Sequence, residues 1–152
     1  MSKKVMTILL VLISLCIGIL IGGYLFSQSQ PRSFLAINRC ESCLTHEDLL
    51  GLLASVGIQR FPGFIPFKVL ETDKTVVIKL PFSSHRIHYV IIPKKDIKNI
   101  GEISETNAQY LTDVFFVARW IIEREKLSKY SIYTNGPGSQ DVTYLHFHLV
   151  AE

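Results

Sequence analysis

Residues 140–152 read Gln140-Asp141-Val142-Thr143-Tyr144-Leu145-His146-Phe147-His148-Leu149-Val150-Ala151-Glu152, and polar and apolar side chains alternate along most of them. A period of two is typical of a half-buried β-strand, so we expect a strand over 142–151. One face would carry Leu145, Phe147, Leu149 and Ala151, and the other would carry Val142, Tyr144, His146, His148 and Val150. The first face suits a hydrophobic core, whereas the second holds two imidazoles roughly 6–7 Å apart along the strand.

A turn-rich loop, Asn135-Gly136-Pro137-Gly138-Ser139, precedes this strand. Such residues favour turns, and successive backbone N–H groups in a turn can bind an anion. Two histidines beside this loop therefore indicate phosphate chemistry. By spacing alone, however, two ordinary strand histidines remain the simpler interpretation.

Two blocks of sequence resemble the histidine-triad (HIT) superfamily of nucleotide hydrolases and transferases. The family signature is Gln-x-Val-x-His-x-His-x-His after an Asn- and Gly-rich loop; Gln140, Val142, His146 and His148 are in register, and Tyr144 stands at the first His position. A second block, His88-Tyr89-Val90-Ile91-Ile92-Pro93-Lys94-Lys95, is similar to the family's His-x-Leu-Val-Ile-Pro-Lys strand and turn. The resemblance covers roughly residues 67–152, and the two blocks are separated by a helix, as in the family.

The resemblance implies a role for each matched residue. His146 would be the nucleophile that forms a phospho-histidine intermediate, and His148 would contact phosphate oxygens. Tyr144 would replace the imidazole that supports the nucleophile, since a phenol can offer one hydrogen bond. His88 matches a position that supports the sheet near the site.

The loop before the strand would bind the phosphate. Backbone donors near Gly138 and Ser139, with Gln140, would stabilise charge on the phosphate oxygens, and Asn135 would orient the loop or touch the phosphate. Turn hydrogen bonding is an equally good interpretation of Asn135 and Gln140. No cofactor and no metal are expected.

Two departures from the family bear on the ligand. The acid that holds the ribose in relatives has no counterpart in Val76–Leu80, so ribose recognition must differ or the substrate is not an ordinary soluble nucleotide. Zinc-bearing relatives have a Cys-x-x-Cys, matched by Cys40 and Cys43, but the other two zinc positions hold Asp96 and Tyr144. In an oxidising compartment we expect a Cys40–Cys43 disulfide in preference to zinc.

The N-terminal segment determines the expected location. Val5 to Phe26 is uncharged and long enough to span a bilayer as a helix, whereas a cleavable signal peptide usually has a shorter apolar region. Lys3 and Lys4 precede it, which favours a cytoplasmic N-terminus and an extracytoplasmic domain. We therefore expect a membrane anchor over 1–26, a tether over 27–39 and one HIT-like domain over 40–152.

Charge argues against nucleic acid as a partner. Residues 1–26 carry two lysines and no acid, which leaves 14 basic against 13 acidic residues in the remainder of the chain. Such a balance, without a basic stripe, excludes the usual electrostatic footprint of nucleic-acid binding. The expected partners are a nucleotide or lipid-linked nucleotide and the membrane; the resemblance also leaves a homodimer open.

The remaining periodicities predict an α+β fold, an antiparallel sheet with a long helix packed on one face. Thr45 would cap a helix over 47–56 that ends near Gly57, and Ser104 would open a long helix to about Leu127. Residues 61–66, rich in proline, would form a loop. The expected strands are 67–71, 75–80, 87–92, 130–134 and 142–151.

Three functions are consistent with these features. The leading hypothesis is a membrane-anchored HIT-type hydrolase of a nucleotide-type phosphoanhydride or phosphoramidate. An alternative enzyme is similar to CDP-diacylglycerol pyrophosphatase, which is N-terminally anchored and acts on a lipid-linked nucleotide. The third is a HIT domain without activity that only binds, which the replacement at Tyr144 favours and the retained His146 and His148 oppose.

Overall fold

A computed structural model describes residues 3–31 and 45–152. Cys40 and Cys43 lie outside the described residues, so the disulfide expected between them stays a prediction. Helices are α1 (Lys3–Phe26), α2 (His46–Arg60) and α3 (Ala108–Arg124), with short 3-10 turns at Pro62–Phe64, Ile100–Glu102 and Glu105–Asn107. Strands are β1 (Lys68–Glu71), β2 (Thr75–Lys79), β3 (Ile87–Pro93), β4 (Ser131–Tyr133) and β5 (Phe147–Ala151).

The strands form one antiparallel sheet in the order β1-β2-β3-β5-β4. The expected hairpin of β1 and β2 is present, and β5 lies between β3 and β4. In this register His148 of β5 is directly opposite Val90 on one side and Tyr133 on the other. The α+β fold with an antiparallel sheet and a long helix is confirmed.

Alternation along the strands gives the sheet two apolar faces. On one face α3 covers a core that includes Tyr89, Ile91, Ile121 and Leu149. On the other face Val76, Ile92 and Tyr144 pack with Ile58 of α2. Because successive side chains of a strand point to opposite faces, His88 and His148 lie on the α2 face.

Helix starts follow local capping chemistry, whereas helix ends differ from the sequence expectation. The Thr45 hydroxyl accepts the Asp48 N–H, as expected, but α2 continues past Gly57 to Arg60. The Gly57 carbonyl accepts the Phe61 N–H at the end of the helix. Ser104 forms a capping box with Asn107 over a 3-10 turn. The α-helical part, α3, begins at Ala108 and ends at Arg124, earlier than expected.

The strand expected over 142–151 is wrong in its first half. Residues 142–146 follow a bent path, and β5 begins only at Phe147. The physical reason lies in their hydrogen bonds. The Thr143 N–H donates to the Glu47 carbonyl of α2, and the Leu145 N–H donates to the Ile97 carbonyl, at 3.2 Å and 2.6 Å. These donors therefore bond to partners outside the sheet.

Gly51 allows α2 to approach this bent segment closely. A Cβ atom at position 51 would lie 2.7 Å from the Thr143 carbonyl oxygen, which no side-chain carbon tolerates. A glycine is therefore required at this contact between α2 and the segment that leads into β5.

The segment that follows α1, the beginning of the expected tether, contacts the domain. The Gln30 N–H donates to the buried Asp96 carboxylate at 2.8 Å, and its side-chain amide donates to the Asp96 carbonyl at 2.9 Å. The hydroxyls of Ser29 and Ser55 lie 2.8 Å apart. Arg60 donates to the Ser27 hydroxyl at 2.7 Å, and its guanidinium lies 4.3 Å from the centre of the Tyr24 ring. The end of α1 is thus held against the end of α2.

Candidate active site

His146 is oriented by the backbone of the bent segment. Its Nδ1 lies 2.7 Å from the Tyr144 carbonyl oxygen, and the Thr134 hydroxyl donates to the carbonyl of His146 itself at 2.7 Å. A carbonyl only accepts hydrogen bonds, so Nδ1 carries the proton in this contact. In the neutral imidazole, Nε2 then keeps a lone pair, which is the electronic form of a nucleophile.

The Tyr144 side chain is placed differently from the expectation. We predicted that its phenol would support His146 from the same strand face. In the structure the hydroxyl donates to the buried Pro93 carbonyl at 2.9 Å, and it is the main-chain oxygen of Tyr144 that His146 contacts. The reason is the bend, which removes residue 144 from the strand alternation. A catalytic role for the phenol stays a prediction.

His148 belongs to a chain of three hydrogen-bonding side chains. Its Nδ1 lies 2.8 Å from Nε2 of His88, and Nδ1 of His88 lies 2.9 Å from the Ser83 hydroxyl. If Ser83 donates to His88 and His88 donates to His148, the remaining N–H of His148 is free to donate to a phosphate oxygen. This arrangement is consistent with the expected support role of His88, and the residue that His88 contacts is His148.

Ring packing further restricts His148. The Tyr133 ring stacks on it at a centroid distance of 4.9 Å and an angle of 21°. The His146 ring meets it edge-on at 5.0 Å. The two imidazoles therefore lie side by side, and each has its Nδ1 in a hydrogen bond.

The electrostatic environment keeps His148 neutral. Burial is the main cause that lowers its pKa to about 4, and the neighbouring His146 and His88 lower it further, whereas Asp141 acts in the opposite direction. Burial also lowers the pKa of His88, with His85 as the second cause. Near pH 7 the side chains of His88 and His148 are therefore uncharged.

A cavity of about 510 Å³ opens onto the two histidines. Most of its lining is apolar and comes from α2, β2, β3 and the bent segment. Asp141 contributes the acidic side chain of the lining. The lining residues are Ala54, Gly57, Ile58, Ile65, Ile78, Leu80, Val90, Ile92, Asp141, Val142, Tyr144, His146 and His148.

The residues predicted to bind phosphate before the bent segment do not line this cavity: Asn135, Gly138, Ser139 and Gln140 are all absent from its lining. Gly138 has φ +82°, as a turn glycine should, and the Ser139 N–H donates to the Gly136 carbonyl at 3.1 Å. The Gln140 side chain is buried and donates to the Lys98 carbonyl at 3.2 Å. Gly138 and Gln140 line a separate cavity of about 330 Å³, and Asn135 lines neither of the two. The Gln140 amide therefore makes a tertiary hydrogen bond to a residue 42 positions away, which is not a turn contact, and its phosphate role stays a prediction.

The proposed zinc positions are occupied by other contacts. The Asp96 carboxylate accepts the Gln30 N–H, and the Tyr144 hydroxyl donates to Pro93. The two cysteines of that set lie outside the described residues.

Three residues of the site were missed by the sequence analysis. Ser83 lies in a loop without periodicity, and its contact with His88 gave no sequence signal. Tyr133 could have been found only from the register of β4 on β5, which places it opposite His148. Asp141 is the acidic residue within the signature block, and its position between Gln140 and Val142 could have identified it as a site residue.

Comparison with known proteins agrees with this geometry. Residues 65–152 match the family model described as "Scavenger mRNA decapping enzyme C-term binding". An uncharacterized HIT-like protein of Buchnera aphidicola is 29% identical over 93 residues, which cover 58% of this chain and 83% of that protein.

Solved structures show the same fold. A HIT family hydrolase from Clostridium thermocellum is 28% identical with a TM-score of 0.57, over 75% of this chain and 93% of its own. A histidine triad nucleotide-binding protein from Candida albicans is 28% identical with a TM-score of 0.53, over 62% and 71%. Because the family model covers more than half of the chain, this protein belongs to the scavenger mRNA decapping enzyme C-terminal family and, with it, to the histidine-triad superfamily.

Proposed function

We propose that this chain is a membrane-anchored phosphohydrolase that cleaves a nucleotide-type phosphoanhydride or phosphoramidate through a phospho-histidine intermediate. The observation that carries the proposal is the hydrogen bond between His146 Nδ1 and the Tyr144 carbonyl. It leaves Nε2 of a neutral imidazole with a lone pair beside the cavity, although the first histidine of the signature is absent. The backbone thereby supplies the support for which a third imidazole seemed necessary.

The reaction follows from this arrangement. Nε2 of His146 attacks the phosphorus that carries the nucleoside, a P–N bond forms, and the leaving group departs with the electrons of its bond to phosphorus. Water then attacks the same phosphorus and releases the nucleotide and free His146. The neutral His148 donates its Nε2–H to a phosphate oxygen as negative charge develops there, and His88 and Ser83 hold it in that tautomer.

Nucleoside recognition would take place in the apolar cavity. A base can pack against its aliphatic lining, and the Asp141 carboxylate can accept hydrogen bonds from substrate hydroxyls in place of the acid missing from Val76–Leu80. The similarity to a nucleotide-binding protein from Candida albicans supports a nucleotide as ligand.

Anchoring is supported by α1. It is 24 residues long, and its most apolar window has a mean hydropathy of 2.9 with none of its residues buried in the protein. At about 1.5 Å per residue such a helix crosses the hydrocarbon core of a bilayer. With Lys3 and Lys4 on the cytoplasmic side, the domain would face away from the cytoplasm.

The test compares the full chain with His146→Ala and with a control variant, His46→Ala, whose side chain pairs with Glu47 on the surface. Adenosine phosphoramidate and dinucleoside polyphosphates serve as substrates, with products followed by mass spectrometry. We expect turnover by the parent and by His46→Ala, and a loss of at least about 1,000-fold in His146→Ala. An alkaline quench, which preserves phospho-histidine, should show a nucleotidyl adduct on the peptide that contains His146. Unchanged turnover in His146→Ala would refute the assignment of the nucleophile.

A further inference from the structure

A loop with two phenylalanines directly follows the residue of α2 that contacts the end of α1. We define the Phe61–Phe64 loop as residues 61–64, which follow the last residue of α2, Arg60. Arg60 contacts both Tyr24 and Ser27 at the end of α1. Since α1 would leave the bilayer at about these residues, Arg60 is held near the membrane surface, and the loop begins at the next residue.

Both phenylalanines of this loop are exposed to solvent. Phe64 is 87% exposed and Phe61 is 45% exposed. Burying one such side chain away from water is favourable, and large exposed apolar groups commonly mark an interaction site. Phenylalanine, with tryptophan and leucine, is also typical of the apolar face that interfacial segments bury at the boundary of headgroups and acyl chains.

The same loop borders the histidine cavity. Ile65, the residue after Phe64, lines the cavity, and so do Gly57 and Ile58 of α2. Gly57 lies about 4.5 Å from Arg60 along the helix axis. One wall of the cavity is therefore built from the end of α2, which contacts α1 through Arg60, and from Ile65, which follows the loop.

From these contacts we propose that Phe61 and Phe64 insert into the interfacial layer of the bilayer that α1 spans, and that they seat the cavity on the membrane to receive a phosphoanhydride whose leaving group carries acyl chains. The substrate part of this inference rests on the proposed function. The apolar lining that leads from Ile65 to His146 is suited to the part of such a molecule closest to its chains.

A lipid-linked nucleotide would be cleaved in two steps. Nε2 of His146 attacks the nucleoside-bearing phosphorus, the phosphoanhydride bond breaks, and the lipid phosphate leaves with the electron pair and remains in the bilayer. Water then cleaves the P–N bond and releases the nucleoside monophosphate, so one water is consumed for each molecule of substrate.

The insertion is tested by fluorescence, independently of activity. Trp120 is the single tryptophan. In a Trp120→Phe background, Phe64→Trp and the matched control Phe116→Trp are placed in the full chain and reconstituted in phosphatidylcholine–phosphatidylglycerol vesicles. Phe116 is 59% exposed but lies on α3, across the sheet from the loop. Phosphatidylcholine brominated near the headgroup should quench the tryptophan at 64 several-fold more than the one at 116. Equal quenching at the two positions, or none at 64, would overturn the insertion.

Turnover tests the substrate part. The probes are CDP-diacylglycerol in the vesicles and CDP-glycerol in solution, which share the phosphoanhydride and differ in the acyl chains. The double variant Phe61→Ser/Phe64→Ser should lower hydrolysis of the lipid by about tenfold and leave that of CDP-glycerol unchanged, because neither side chain lines the cavity. An equal loss on both probes would refute the membrane role of the pair. If the parent hydrolyses neither CDP-diacylglycerol nor CDP-glycerol, the substrate class is refuted. If the parent also fails to hydrolyse adenosine phosphoramidate and dinucleoside polyphosphates, the proposed function is refuted. The quenching experiment tests membrane insertion independently of both results.

Discussion

Nε2 of His88 and Nδ1 of His148 lie 2.8 Å apart, although the two residues are separated by 60 positions in sequence. They belong to the neighbouring strands β3 and β5, and the antiparallel register places His148 opposite Val90, two positions from His88. The contact connects the two sequence blocks that resemble the family, so that His88 of one block orients His148 of the other, which we propose to contact phosphate.

Replacing His88 should reduce the rate more than the affinity. In His88→Ala, His148 loses the partner that fixes its tautomer, and we expect kcat to fall roughly 10- to 100-fold with a smaller change in KM. Ser83→Ala, one step farther along the chain, should cost less. Steady-state kinetics of the purified chain measure both effects. A rise in KM with kcat unchanged would show that His88 acts through substrate binding instead.

The stability of the domain should decline on mild acidification. Burial lowers the pKa of His148 to about 4 in the folded protein, whereas an unfolded histidine titrates near 6.5. Between these values the unfolded chain binds more protons, so this contribution to stability is fully present above about pH 6.5 and is lost as the pH falls toward 4.

Denaturant unfolding of the protein and of His148→Gln between pH 7 and about pH 4 measures this effect. The decline should be shallower in the variant. The carboxyl groups of Glu71 and Glu125, whose pKa values are lowered by hydrogen bonds to Lys68 and Tyr89, contribute at lower pH and in both proteins. Parallel curves for the two proteins would contradict the assignment to His148.

Removing the Tyr144 hydroxyl should affect stability more than chemistry. Tyr144→Phe leaves the buried Pro93 carbonyl without this donor, at a cost of about 1–3 kcal/mol in the free energy of unfolding. The backbone carbonyl that contacts His146 is retained, so kcat should stay within about threefold of the parent. Tyr130→Phe, at an exposed position, is the matched control. A collapse of kcat in Tyr144→Phe without loss of stability would instead assign the phenol a catalytic role.

Two glycines of α2 should respond to alanine with opposite signs. Gly51→Ala places a Cβ against the Thr143 carbonyl and should destabilise the domain by about 1–3 kcal/mol. At Gly57 the added carbon meets no atom within 4 Å, so Gly57→Ala should stabilise the helix by up to about 1 kcal/mol. Thermal or denaturant unfolding of both variants checks the difference. Similar values for the two would show that α2 can shift away from Thr143 at little cost.

The parts of the fold that the sequence predicted are those encoded locally. The β-branched residues of β2, the stop at Pro93 and the Thr45 cap each depend on neighbours within a few positions. The bend at 142–146 depends instead on the carbonyls of Glu47 and Ile97, which lie far away in sequence. The alternation pattern therefore predicted too long a β5 and the wrong position for the Tyr144 side chain.

The candidate site shows the same division. Resemblance to the family identified His146, His148 and His88, because their spacing within two short blocks is preserved. Ser83 and Tyr133 contact these histidines only through loop geometry and strand register, which no motif records. Gln140 matches the family signature, yet its amide bonds to the Lys98 carbonyl.

The short segment 93–98 limits where the chain can be shortened at its N-terminal side. Its Pro93, Ile97 and Lys98 carbonyls accept hydrogen bonds from Tyr144, Leu145 and Gln140, while its Asp96 receives Gln30 from beyond the end of α1. Cutting the chain after residue 31 would uncover the buried Asp96 carboxylate, which lies within three residues of each of these carbonyls. A shortened chain without α1 should therefore begin before Ser27, so that Ser29 and Gln30 keep their contacts with the domain.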